Sequence, residues 1–148
     1  MNEDLSDVLA FLTDEICSKI ALRVLANPAK YTIYKNIPLE ELHNRFKATF
    51  VYFVDSIRIN SAKPVLDIID IRIRELLKKG FSCNDILNIL AVTMEETVHC
   101  AIRSKPGDPA FANFVRLRIN YLTSIVRTRL IAISIEENSA SKLTSLPN

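Results

Sequence analysis

Glycine is nearly missing from this chain, with two in 148 residues. All-β folds need glycine at tight turns and phosphate-cradling loops need several in one place, so both classes are set aside at the outset. Cysteine is scarce as well. Cys17, Cys83 and Cys100 are odd in number and widely spaced, the pattern of free thiols in a reducing compartment rather than of a disulfide framework. No apolar run reaches the roughly 18 to 20 residues that span a bilayer. The opening Met1-Asn-Glu-Asp-Leu-Ser-Asp is acidic, whereas a signal peptide opens basic and then turns apolar. A cytoplasmic location is the resulting expectation. The net charge of +2 gives no argument for nucleic acid or for a membrane surface.

What the chain does have is apolar patterning, at 49% hydrophobic residues. Leu5, Val8, Leu9, Leu12, Ile16 and Ile20 form one helical stripe over residues 5–25, stopped at Asn27-Pro28 because proline disfavours helical geometry in the residue before it. A connector with Tyr31 and Tyr34 follows. A second helix begins near Asn36 or Ile37, with Pro38, Glu40 and Glu41 suited to its first turn. Its stripe is Leu39, Leu42, Phe46, Phe50, Phe53 and Ile57. A third helix over about 64–79 carries Leu66, Ile69, Ile73, Leu76 and Leu77, and ends on Lys78-Lys79-Gly80, basic residues and then a glycine able to go left-handed. Ser82 with Asp85 reads as a capping box for a fourth helix over about 83–103.

Lys105-Pro-Gly-Asp-Pro109 is the clearest loop. After it, Phe111, Val115, Ile119, Leu122, Val126, Leu130 and Ile133 recur at steps of three and four, a last helix of about 25 residues, long enough for part of it to leave the core. The expectation is therefore an all-α domain over residues 1–137, about five helices packed as a globin-like fold or antiparallel bundle. Residues 138–148 are polar and read as a frayed tail. Leu117, Ile125, Ile131 and Ile135 lie beyond the main stripe of the last helix, and apolar residues around most of a helix call for more than one packing partner.

The order of these pieces resembles the N-terminal sensory domain of the RsbR and RsbRD type, which precedes output modules in bacterial stress signalling. Pro28 with Tyr31 is similar to its connector after the first helix. Ile37-Pro-Leu-Glu-Glu-Leu42 is similar to its acidic second-helix start. Arg74, Lys79-Gly-Phe-Ser82 and Ile86-Leu87 are similar to its basic, glycine, small-polar and leucine-rich segment. The likeness covers about residues 8–133, and the chain lacks the first-helix tryptophan that many relatives carry. The resemblance implies a non-haem globin-like fold, often a homodimer, acting as a regulatory input to a protein partner or output domain, and either standing alone or excised from a longer chain.

Candidate chemistry is thin. His43 and His99 raise the question of haem, but nothing places either beside a large apolar slot, and a surface or hydrogen-bonded histidine is the default. His99 and Cys100 are adjacent and point different ways on a helix, which disfavours a zinc site. The cysteines read as small buried residues. Glu40/Glu41, Glu95/Glu96 and Glu136/Glu137 diverge by about 100° and are not acid/base pairs. Gly80 to Thr93 looks like the first half of a LuxR-type helix-turn-helix, but Met94-Glu95-Glu96-Thr97 is acidic where a recognition helix would meet phosphates. Arg103, Lys105, Arg116, Arg118, Arg127 and Arg129 face a single acid, Asp108. They form a solvated flank or a strip for an acidic partner.

The expectation is a non-catalytic regulatory domain with no cofactor or metal, dimerising and signalling through the last helix, with Leu117, Leu122, Ile125, Val126, Arg129 and Ile133 as the interface. The alternatives are a DNA-binding regulator or a small-ligand sensor. An apolar cavity at Phe46, Phe50 and Phe53 would favour the sensor, and a close-packed interior there would not.

Overall fold

The computed structural model describes residues 2–145, with side chains to residue 140. Among these residues there are five α-helices, one short 3₁₀ turn and no strand: α1 (Asn2–Leu25), η1 (Thr32–Tyr34), α2 (Leu39–Arg58), α3 (Lys63–Lys78), α4 (Cys83–Ser104) and α5 (Pro109–Ser145). The fold is an all-α bundle. α1 packs between α2 and α4, α5 lies against α4 and α3, and α2 closes on α3.

Helix ends follow local chemistry. Glu3 and Asp4 stand in the first turn of α1, where the macrodipole favours negative charge. α2 starts after Pro38, whose extended backbone (φ −57°, ψ 143°) places it just outside the helix. Leu39 therefore sits in the first turn facing solvent, not in the buried stripe. At the other end of α2, Asn60 takes a left-handed φ of 55°, which asparagine tolerates better than most residues. The buried Ser56 hydroxyl then accepts from the Val65 amide at 2.9 Å and fixes where α3 begins.

α3 ends in a Schellman motif. The Phe81 amide donates to the Leu76 carbonyl and the Gly80 amide to the Leu77 carbonyl, both at 3.1 Å, with Gly80 at φ 98°, a conformation that costs glycine least. Ser82 and Asp85 form the expected capping box: the Asp85 amide donates to Ser82 Oγ at 3.1 Å and the Ser82 amide to Asp85 Oδ2 at 2.8 Å. Asp108 accepts from the Phe111 amide at 2.9 Å and opens α5, with Pro109 at the first helical position.

Two expectations are corrected along α5. The helix does not fray at residue 138 but runs to Ser145, 37 residues in all, or about 55 Å at the α-helical rise. Residues 146–148 of the expected tail lie outside the described residues. The helix also points its main stripe inward. Leu122, Val126 and Ile133 are no more than 2% exposed, packed in the chain's own core with Ile119 and Leu130, so they are not available to a second copy.

Candidate functional site

A cavity of about 910 Å³ opens between α2, α3 and α4, within the range of small-molecule sites. Phe46, Phe50 and Phe53, three and four positions apart on α2, share one helix face and all line it. Phe50 is buried, and Phe46 and Phe53 are half-buried. The Phe50 and Phe53 rings stack at 5.7 Å between centroids. Ile69, Ile73 and Leu76 of α3 form the opposite wall, and Ile89, Leu90 and Met94 of α4 the third. Ile20 of α1 and Val126 and Leu130 of α5 close the back.

One end is an aromatic corner that the sequence did not announce. The Schellman turn swings Phe81 back over α3, and Tyr34, from the connector, meets its ring edge-on at 5.1 Å and that of Phe46 at 6.0 Å. Burial pushes the Tyr34 hydroxyl up to about 12, so it stays a neutral phenol throughout the physiological range. A tyrosine in a short connector between two helices was the available signal.

The hydroxyls that α4 turns inside are committed to their own helix, while Thr49 of α2 and Thr123 of α5 also line the space. Thr93 Oγ1 donates to the Ile89 carbonyl at 2.9 Å, and Thr97 Oγ1 to the Thr93 carbonyl at 2.6 Å. Charge is confined to the mouth, where Glu40, Glu41, Arg45, Arg72, Glu75 and Lys79 stand. Arg45 is held by Glu41 at 2.6 Å and Arg72 by Glu75 at 3.5 Å; Lys79 has no carboxylate partner among the described residues.

The other sequence candidates scatter. His99 is exposed on α4. His43 faces α1, with Nε2 3.6 Å from Asp14 Oδ1. Neither lines the cavity. Cys17 and Cys100 are buried and Cys83 is half-buried. Desolvation, aided by the Asp14 charge, pushes the Cys17 thiol up to about 12, and burial likewise raises Cys100, the reverse of what a nucleophile needs. Among the described residues no three His, Cys, Asp or Glu side chains converge as metal ligands.

The helix-turn-helix reading does not survive the fold. Residues 83–104 form one uninterrupted helix with no turn before Thr93. The basic strip is divided as well. Arg103 meets Glu15 at 3.2 Å, Lys105 lies over the Phe111 ring and Arg118 over Tyr121. Arg129, expected at a dimer interface, grips Asp70 of α3 instead through Nε at 2.7 Å and Nη2 at 2.8 Å. Arg74 adds Glu136 at 2.8 Å and Glu137 at 2.6 Å. These charges tie the outer side of α3 to the far half of α5. Of the expected interface only Leu117 is well exposed, with Ile125 half-buried; Tyr121, Ile131 and Ile135 share the outer side of α5 with Leu117.

Set against family models, curated proteins and solved structures, the chain matches none of them.

Proposed function

We propose that this chain is a ligand-responsive regulatory domain: a small, largely apolar molecule binds between α2, α3 and α4, and the adjustment of α3 is passed through α5 to a protein partner. The observation that carries the reading is the 910 Å³ cavity lined by Phe46, Phe50 and Phe53, since a domain selected only for stability would close such a space. The ion pairs of Asp70 and Arg74 with α5 supply a route from the cavity wall to the long helix. The sequence resemblance to RsbR-type sensory domains is what adds stress signalling as the setting. The outer residues Leu117, Tyr121, Ile131 and Ile135 are the surface proposed for a partner or a second copy. No helix among the described residues is long and apolar enough to cross a membrane.

The chain has no tryptophan, so Phe53→Trp introduces a single reporter into the cavity wall. Anilinonaphthalene sulfonate should bind saturably and quench that emission, and Thr93→Phe, which adds a ring to the cavity wall, should weaken its binding. A folded Phe53→Trp protein that shows no saturable binding sinks the proposal.

A further inference from the structure

The cavity is elongated, and its polarity is graded along that length. Lining residues run from Glu40 to Phe53 on α2, from Val65 to Lys79 on α3 and from Ile86 to Thr97 on α4, so at 1.5 Å per residue the space follows the helices for about 15 to 20 Å. α2 and α3 pack together and are joined by the short turn after Arg58, and a second short turn leads from α3 into α4. The start of α2, the end of α3 and the start of α4 therefore share one end of the cavity, and every charged lining residue stands toward it. Deeper in, the wall is Phe50, Phe53, Ile69, Leu90 and Met94, and the threonine protons of α4 are already donated to backbone carbonyls. A bound molecule meets no uncommitted donor from α4 along its body.

Size separates the possible occupants. A compact ring system would leave most of the length empty. An extended hydrocarbon chain of about sixteen carbons, each advancing somewhat less than a C–C bond length, spans it. Resting on the ligand-binding reading above, we infer that the ligand is a chain amphiphile: its hydrocarbon tail runs along Phe46, Phe50 and Phe53 toward Met94, and its small polar head stays at the mouth beside Lys79.

The test is displacement of anilinonaphthalene sulfonate from the full chain by hexadecanoate, hexadecanol and octanoate. Both sixteen-carbon compounds should displace it. Octanoate should be weaker by at least a thousandfold, because each buried methylene contributes about a fourfold factor. Lys79→Glu, an exposed change that leaves the fold intact, should weaken hexadecanoate and spare hexadecanol if the head is anionic. If it spares both, with chain-length dependence intact, the tail assignment is supported with a neutral head. If the dye binds but neither sixteen-carbon compound displaces it, the chain amphiphile is overturned while the cavity remains a ligand site. If the dye does not bind at all, both readings fall. Dye binding that disappears as protein concentration rises, in step with dimer formation by sedimentation, would assign the cavity to a second copy and overturn the inference.

Discussion

α1 and α3 belong to the same bundle but are held in it by different forces. Nine of the 24 residues of α1 are buried, with Leu5, Leu9, Ile16 and Cys17 wholly closed off, whereas only Val65 and Ile73 are buried among the 16 of α3. α1 is gripped on two sides by apolar packing, which is short-ranged and tolerates little displacement. α3 borders the cavity and is fastened on its outer side by Asp70–Arg129 and Arg74–Glu136/Glu137. Partly exposed ion pairs are worth little each and can re-form after a small shift. The contrast separates a closely packed helix from one held partly by charge at the surface, and the proposed sensing role draws on that difference.

The comparison breaks most severely in the shared core. Leu122→Asp places a carboxylate where the native side chain is 0% exposed, and a buried unpaired charge, added to the lost core packing, removes several kcal/mol of the roughly 5 to 15 kcal/mol that keep a domain folded. Loss of the cooperative helical signal on heating is expected. A folded protein that merely changes oligomeric state would restore Leu122 to an interface.

Truncation sharpens it. Ile16→Ala should cost about 2 to 5 kcal/mol, the usual loss at a closed core position, whereas Ile69→Ala beside the cavity should cost about 1 kcal/mol, because open space already exists there. Urea midpoints at constant m-value measure both; equal losses would mean that α3 is as tightly packed as α1. Adding a ring to the cavity wall reverses the sign. Thr93→Phe should raise stability by about 1 kcal/mol, and a large loss would show the cavity wall to be close-packed.

The smallest effect lies on the ionic seam. Hydrogen bonding from Arg129 holds the Asp70 carboxyl below its ordinary value. A depressed folded-state value gives stability that is present above the unfolded value, near 3.8, and is lost as pH falls through the folded one. Asp70→Asn should therefore cost under about 1 kcal/mol at neutral pH. That cost should shrink in 1 M salt and vanish below the carboxylate range; a cost independent of both would point to packing rather than charge.

Much of the architecture was legible because its signals are local. The Asn27-Pro28 stop, the Gly80 terminus and the Ser82/Asp85 box are dictated by backbone sterics and by amides that need partners, and each sits within a residue or two of its expected place. Phe46, Phe50 and Phe53 were legible as one face for the same reason. The α5 stripe was visible too, but not its partner. Periodicity reports that Leu122, Val126 and Ile133 need burial, and it is silent on whether a second copy or the chain's own helices provide it.

The sequence by itself therefore determined the five helices, most of their ends and the faces that avoid water, since these follow from side-chain spacing and short-range hydrogen bonding. Only the tertiary structure decided where those faces fail to meet. The aromatic corner of Tyr34, Phe46 and Phe81, the grip of Arg129 on Asp70 and the space between α2, α3 and α4 join residues from 12 to 59 positions apart. A cavity is a mismatch in volume between packed helices, and no pattern along one helix encodes it.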